Sequence, residues 1–356
     1  MKIVLLIGGM VYGGAERVMA NLANYLCRNN EVTLISLHEH PCEYELDVKI
    51  KFINGVNQRN PMYTAIRLRK LITKNIRADI VLSFLTHINI LTIGSLVASK
   101  VPVVVSERND PNFEPKQIHR KLLRSMLYPF ASGYVFQTLG AQQYFSKKII
   151  KKSTVIANPL FNINPPIADE SMKKNEIVAV GRLTEQKNYN LLIDAFKIIH
   201  KKFPDYTVKI FGDGELREEL ERKINDLELN DKVFLMGTSS TILEDIRTSK
   251  IFVMTSNHEG MPNALMEALS VGLCCISTDC PCGGPGELIQ DKENGLLIQV
   301  KDLDSLVNAL TSVIKSDTLR VKMSNNAIQI KNHLNPNVIY EKWDSYLNSI
   351  AVNIKR

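Results

Sequence analysis

The chain has 356 residues, is 45% hydrophobic and 23% charged, and carries a formal net charge of +7. That length suits two domains of ordinary size, and the composition excludes a disordered chain. No apolar run approaches the ~20 residues needed to span a bilayer. The charge is uneven: residues 1–165 hold 21 Lys/Arg against 10 Asp/Glu, a net of +11, whereas the remainder is at −4 with 23 against 27. A basic half joined to a mildly acidic half suggests that only the first meets a polyanion or an anionic surface.

Lys2–Ile7 is a short apolar run that reads as a buried first strand. No small-residue cleavage site follows it, so it is not a secretion signal and a cytoplasmic protein is expected. A glycine-rich turn, Gly8–Gly14, leads into a helix over Ala15–Cys27 with Val18, Met19, Leu22 and Leu26 at helical spacing. Glu31–Leu37 is a second strand. Further strands are expected at Ala78–Phe84, Val101–Ser106, Tyr134–Gln137 and Thr154–Ala157, with a helix over Ile88–Ala98. Around Asn158–Lys174 the pattern gives way to Asn158-Pro159, Pro165-Pro166 and a polar stretch that reads as a linker.

A second strand–helix series then begins: Ile177–Val180, a helix over Asn190–Lys202, Thr207–Phe211, a helix over Glu215–Asp226, Val233–Leu235, Ile251–Met254, a helix from Asn263, Cys274–Ser277 and Gly295–Val300. Helices over Leu303–Lys315, Thr318–Lys331 and Asn337–Ile350 close the chain. The expected fold is α/β, with two tandem Rossmann-like domains at 1–165 and 171–336. The apolar face of the last helix, over 337–356, is expected to pack back on the first domain.

Six cysteines fit no disulfide framework in a chain this long, and Cys280-Pro-Cys282 lacks the spacing and partners of a zinc site. The densest cluster of chemistry-bearing residues is Ser256–Glu267, SNHEGMPNALME. Pro262 offers a fixed φ and Asn263 a capping oxygen for a helix start. That puts Glu259 in the preceding loop and Glu267 one turn inside the helix. The pair could reach two ends of an extended ligand whose anionic middle rests near the helix N-terminus. Two solvated glutamates at an ordinary loop–helix junction would read the same way.

Arg182 and Lys187, in GRLTEQKN, follow a strand end, where open α/β sheets bind their ligands. Two cations there suit a diphosphate, though a solvated basic loop accounts for them equally. Gly14 at the first helix start, Gly212 in GDGEL, Gly237 past another strand and the CPCGGPGEL loop add turns that let phosphate approach backbone N–H groups. Each of these glycines could also serve turn geometry alone. None forms G-x-G-x-x-G, so a nicotinamide fingerprint is absent.

In this order, GGAER, the Asn158-Pro159 step, GRL-x₃-KN, GDGEL and E-x₇-E with its EGMPN turn resemble the retaining glycosyltransferases of family 4, across nearly the whole chain. The resemblance implies a glycosyltransferase-B fold, with two Rossmann-like domains facing across a cleft. It implies that Arg182 and Lys187 bind the diphosphate of a nucleotide-sugar, most simply UDP-linked. It further implies that Glu259 lies by the transferred sugar with Gly260, Met261, Pro262 and Asn263, that Glu267 holds the ribose, and that Gly14 meets the phosphate. No metal cofactor is implied, and the sequence lacks an Asp-x-Asp pair at a strand end. The CPCGGPGELI loop is similar to that of transferases adding N-acetylhexosamines to polyprenyl-diphosphate glycans.

Many relatives carry a histidine where this chain has Arg108, which cannot accept a proton at neutral pH. Arg108 and His87 are therefore acceptor-side candidates, and Arg120 and Arg124 join them from a basic cluster. Residues 116–130 place basic and apolar groups at helical spacing, a pattern fit for an anionic bilayer. Two further basic clusters, one spanning 67–77 and one spanning 147–152, lie in the same domain. The expected partners are a nucleotide-sugar donor, a polyprenyl-diphosphate-linked or other glycan acceptor, and the inner face of the cytoplasmic membrane. No nucleic-acid-reading motif is present. A nucleotide-sugar epimerase of similar build and a non-catalytic nucleotide-sugar binding protein remain open as alternatives.

Overall fold

The computed structural model describes every residue except Tyr12, Arg59 and Arg356, and every side chain except those and residues 353–355. The chain forms two compact units, Met1–Pro159 with Pro336–Arg356, and Leu160–Asn335. Residues 160–165, grouped with the first domain by the sequence pattern, thus travel with the second. The Leu160 N–H donates to the Leu334 carbonyl at 2.9 Å, tying the start of that unit to its end. The polar stretch read as linker is one 3₁₀ turn, Glu170–Met172, running straight into a strand at Lys174.

The first unit is built on seven parallel strands: β1 (Lys2–Ile7), β2 (Glu31–Ser36), β3 (Lys51–Ile53), β4 (Ile80–Phe84), β5 (Val103–Ser106), β6 (Gly133–Phe136) and β7 (Ser153–Val155). Their order is β3-β2-β1-β4-β5-β6-β7. The chain leaves β1 in one direction and returns past it to β4. Right-handed crossovers then put helix Gly14–Leu26 on one face and helices Pro61–Lys70, Thr86–Leu96 and Ile118–Leu127 on the other. β3 escaped sequence reading because Lys51-Phe52-Ile53 is a three-residue edge strand with no buried run.

Helix Pro336–Lys355 packs beside Gly14–Leu26. Its Trp343 is fully buried, 5.6 Å from the Phe84 ring. Its Tyr346 hydroxyl accepts from the Tyr134 N–H at 2.9 Å and donates to the Lys152 carbonyl at 2.5 Å. A Cβ at Gly133 would lie 2.6 Å from that hydroxyl, so only glycine lets the helix approach this closely.

On the opposite face a buried polar network fixes the helices to the sheet. The Ser83 hydroxyl donates to Asn89 Oδ1 at 2.8 Å, and Asn89 Nδ2 donates to the Ser106 carbonyl and to the Tyr128 hydroxyl. The Tyr128 hydroxyl and the Thr86 hydroxyl both donate to the Glu107 carboxylate. Glu107 therefore pins the first turn of helix Thr86–Leu96 and the end of helix Ile118–Leu127 at once. Burial raises its pKa above the ordinary 4.5, outweighing the hydrogen bonds that favour the charged form.

The second unit has six parallel strands: β8 (Lys174–Val180), β9 (Thr207–Phe211), β10 (Val233–Gly237), β11 (Ser249–Met254), β12 (Cys274–Thr278) and β13 (Leu296–Ile298). Their order is β10-β9-β8-β11-β12-β13. Leu192, Ala195, Phe196 and Ile199 of helix Tyr189–His200 recur at helical spacing and close one face of the core, joined by Leu306, Leu310 and Val313 of helix Leu303–Lys315. The single helix expected over 318–331 is two, Asp317–Ala327 and Ile330–His333, the first capped by the Ser316 hydroxyl.

Because the folded state raises the Glu107 pKa, it holds that proton more tightly than the unfolded chain. The stability of the wild type relative to Glu107→Gln is therefore expected to be greatest below pH 4.5 and to shrink as pH rises through the raised value. Urea melts of both proteins across pH 4 to 8 (about that range) check this. A wild-type advantage that grows with pH would show that the hydrogen bonds outweigh burial.

Candidate functional site

In each sheet the strand order reverses once, between β1 and β4 and between β8 and β11. Loops diverge at such a point and leave a crevice at the carboxyl ends of the strands. In the second unit the loops flanking it are 181–188 after β8 and 255–262 after β11, which carry Arg182, Lys187 and Glu259.

The two loops are stitched together. The Asn257 N–H donates to the Gln186 carbonyl at 2.7 Å, and Asn257 Nδ2 donates to the Glu185 carbonyl at 2.8 Å. Gln186 Nε2 donates to the His258 carbonyl at 2.9 Å, and the Thr255 hydroxyl to the Lys187 carbonyl at 2.9 Å. These bonds satisfy loop backbone that neither loop satisfies alone. They hold Lys187 Nζ 2.5 Å from Glu259 Oε1, with the two side chains only 15% and 9% exposed. The aliphatic stem of Lys187 is held in turn: a Cβ at Gly181 would lie 2.9 Å from Lys187 Cε and from the Tyr189 hydroxyl. Burial and the Glu259 charge push the Tyr189 phenol pKa well up, so it stays neutral beside the pair. Arg182, by contrast, is exposed.

Glycines shape the rest of the rim. Gly212 has φ +137° and would place a Cβ 2.0 Å from the Gly181 carbonyl oxygen, so β8 and β9 end in contact. The Gly212 N–H donates to the Gly237 carbonyl at 2.7 Å. Gly284 opens the short helix Gly284–Leu288, and a Cβ there would fall 1.7 Å from the Gly260 carbonyl oxygen. The CPCGGPGEL loop thus earns its glycines by backing the 259–262 turn.

Helix Asn263–Ser270 begins differently from the sequence expectation. Pro262 occupies the N-cap and Asn263 is the first helical residue, so the N-cap side chain makes no capping bond. Glu267 is half-buried one turn inside, and Met261 is buried beneath the turn. The structure therefore brings Lys187 against Glu259, with Gly260, Met261, Pro262, Asn263 and Glu267 following on the same loop and helix, and Arg182, Gly212 and Gly237 at the ends of β8, β9 and β10. Gln186, Asn257 and Thr255, which join the two loops, carry no signal of that part in the sequence. Polar side chains that bond loop backbone leave no spacing pattern to find.

The chain's one Asp-x-Asp, Asp302-Leu303-Asp304, lies beyond β13. Asp302 caps helix Leu303–Lys315 by accepting from the Ser305 N–H at 2.9 Å. Cys280 and Cys282 are buried and form no disulfide.

In the first unit Gly14 is the exposed start of helix Gly14–Leu26, and the preceding Gly13 is clamped by the Tyr44 hydroxyl, which bonds both its N–H and its carbonyl. His87 follows β4 at this unit's own switch point, its Nε2 3.7 Å from where a Cβ of Gly8 would stand. Desolvation, then the charges of Arg120 and His38, lower its pKa. Arg108 follows β5. It is buried, donates to Asn158 Oδ1 and stacks 4.6 Å from the Phe84 ring, and burial lowers its pKa to about 9. Arg124 is buried too, bonding the Glu114 and Pro111 carbonyls and the Tyr144 hydroxyl. The Arg124 guanidinium is committed to this unit's own loops, whereas Nε and Nη1 of Arg108 are buried without a hydrogen-bond partner. Arg120 stays half-exposed on its helix.

With this geometry in place, comparison with known proteins gives a consistent class. The family model described as Glycosyltransferase Family 4 matches residues 12–160, and that described as Glycosyl transferases group 1 matches residues 162–330. The chain resembles the Anabaena Alr3699/HepE crystal structure in complex with UDP, with a TM-score of 0.81 at 18% identity, over 98% of this chain and 100% of that one. The fold is thus glycosyltransferase-B, and the protein is a glycosyltransferase.

Two relatives align along their whole length. One is the GalNAc-alpha-(1->4)-GalNAc-alpha-(1->3)-diNAcBac-PP-undecaprenol alpha-1,4-N-acetyl-D-galactosaminyltransferase of Campylobacter jejuni, 30% identical over 96% of this chain and 97% of the relative. The other is the amylovoran biosynthesis glycosyltransferase AmsD of Erwinia amylovora, 31% identical over 98% of this chain and 99% of the relative. The chain belongs to glycosyltransferase family 4.

The packing separates two adjacent glycines. Gly284→Ala is expected to displace the Gly260 turn, costing about 1–3 kcal/mol of stability and most of the transfer activity. Gly283, with φ +77° and nothing within 4 Å of a Cβ, is expected to cost only about 1–2 kcal/mol as alanine and to keep activity. Thermal melts and initial rates on both variants check the contrast.

Proposed function

We propose that this protein is a retaining glycosyltransferase that moves a sugar from a UDP-sugar to a polyprenyl-diphosphate-linked or related surface-glycan precursor. The observation that carries the reading is the Lys187–Glu259 pair at the switch point of the second unit, with Arg182 exposed on the same loop as Lys187 and a helix starting at Asn263 just after Glu259. Two cations and the positive end of a helix dipole suit a diphosphate leaving group, whose charge grows as the glycosidic bond breaks. Arg182 engages two phosphate oxygens and Lys187 supplies a point charge. Glu259 lies by the sugar, with Gly260, Met261, Pro262 and Asn263 presenting backbone groups to it, and Glu267 accepts from the ribose hydroxyls.

The acceptor oxygen attacks the face that the diphosphate leaves. The bond from the anomeric carbon to the phosphate oxygen breaks as the new glycosidic bond forms. The acceptor's proton passes to the departing phosphate oxygen, so no separate histidine base is required and configuration is retained. Because Arg182 and Lys187 supply the positive charge, transfer is metal-independent.

The named acceptor of the Campylobacter relative supports a polyprenyl-diphosphate glycan, and the UDP complex of the Anabaena structure supports the donor class. A lipid-linked acceptor also puts the enzyme at a membrane surface, the inner face of the cytoplasmic membrane in this reading.

A UDP-sugar panel incubated with a polyprenyl-diphosphate-sugar acceptor tests the proposal by product formation, and transfer should survive EDTA. Absence of transfer and of UDP release with every donor would sink it. Glu259→Gln is expected to lower kcat by about 100-fold or more with little change in donor KM, since it removes a group beside the reacting centre. Glu267→Ala is expected chiefly to raise donor KM, by about 10-fold, the loss of a charged hydrogen bond. Equal effects on donor KM alone would undo that division of roles.

A further inference from the structure

Helix Ile118–Leu127 is built inside out. Its one buried residue is Arg124, 4% exposed. Ile118, Leu122 and Met126 recur every fourth residue on the opposite side at 84%, 61% and 60% exposure, and Phe130 just beyond the helix is 64% exposed. A side chain four residues on stands on the same helix face, so these groups form one apolar ridge pointing outward. The inversion is locked from below. Arg124 is tied to the Glu114 and Pro111 carbonyls and to Tyr144, so the helix cannot roll its apolar face inward without breaking those bonds.

The ridge does not stand alone. Helix Pro61–Lys70 packs against the far side of helix Thr86–Leu96 and exposes Met62, Tyr63 and Ile66. Both segments are basic and contain no acidic residue: 61–76 includes Arg67, Arg69, Lys70 and Lys74, and 116–130 includes Lys116, Arg120, Lys121 and Arg124. Lys70, Lys74, Lys116 and Lys121 are exposed. Among the described residues no helix is long and apolar enough to cross a membrane.

We propose that this helical face of the first unit is a bilayer-docking surface, in which Ile118, Leu122, Met126 and Phe130 enter the headgroup–acyl boundary of an anionic membrane while the surrounding lysines and Arg120 meet lipid phosphates. Apolar area toward acyl chains, with cations and no acids around it, is what an interfacial helix presents to anionic lipid. A protein partner matched to the same face would need its own acidic rim, whereas the bilayer supplies both parts at once. The inference rests on the membrane-surface reading of the acceptor given above and adds which surface makes the contact.

The test is co-flotation of the full-length protein with vesicles of phosphatidylcholine alone and of phosphatidylcholine with phosphatidylglycerol. Wild type should float with the anionic vesicles and not with the neutral ones. Binding should drop by more than about tenfold in the combined variant Ile118→Ser, Leu122→Ser, Met126→Ser, and it should weaken with added salt and in Lys116→Gln with Lys121→Gln.

All five positions are exposed, so melting temperatures should stay unchanged. Sugar transfer to a short, water-soluble acceptor should also be unaffected. That second readout separates the two ideas, since loss of transfer by wild type bears on the glycosyltransferase reading and vesicle binding bears on the docking face. Wild type that ignores anionic vesicles, or a serine variant that binds them as wild type does, overturns the proposal. So does a variant that fails equally with the soluble acceptor, which would make the ridge part of the acceptor site.

Discussion

The second unit turns on one ion pair. Lys187 and Glu259 meet at 2.5 Å with little access to water, and hydrogen bonds between loops 181–188 and 255–262 hold them there. Removing one partner of such a pair strands the other charge, which in buried settings costs about 3–5 kcal/mol. A less expensive apolar contact would have closed the same loops, since a buried ion pair by itself is a poor source of stability. In the proposed function its retention has a chemical purpose. The pair stores a cation that an incoming diphosphate can take over, and a carboxylate that is then released toward the sugar.

The same topological device serves both units. Each sheet reverses its strand order once, and at each reversal the divergent loops carry the candidate groups: Lys187 and Glu259 in one, Gly14 and His87 in the other. Rigid parallel strands, buried on both faces, fix where those loops begin, and packing glycines fix how closely they approach. Gly212 and Gly284 do this by bare backbone contact, with no room for a methyl group. The first unit places its charge economy differently. Glu107, Arg108 and Arg124 are drawn inside to brace helices and loops, while apolar side chains of helix Ile118–Leu127 are left outside.

The architecture was largely legible because buried parallel strands write themselves as short apolar runs. β1 and β9 match the expected bounds, and most other strands lie within three residues of theirs at either end. What escaped lacked that signal: β3 is a three-residue edge strand, and Lys174–Glu176 is a polar start to β8 at the rim of the sheet. The grouping of Arg182, Lys187, Glu259 and Glu267 on one edge was also legible, since all follow strand ends. Their partners were not. That Lys187 faces Glu259, or that Gly284 supports Gly260, depends on loops brought together from opposite sides of a switch point. Nor do the surroundings of Arg108 and Arg124 show in the sequence: one side chain stacks on Phe84 with two buried guanidinium nitrogens unpartnered, and the other bonds three oxygens within its own unit.

The central claim is that the Lys187 ammonium, held in reserve by Glu259, becomes the counter-ion of a nucleotide diphosphate. Calorimetric titration of UDP into wild type, Lys187→Ala and Glu259→Gln tests it most directly. The account predicts that Lys187→Ala binds UDP at least about tenfold more weakly, the loss of one charge-assisted hydrogen bond. Glu259→Gln should bind it no more weakly than wild type, because the lysine no longer has to leave a carboxylate. Wild-type affinity in Lys187→Ala, or a loss in Glu259→Gln as large as that expected for the lysine variant, would contradict it.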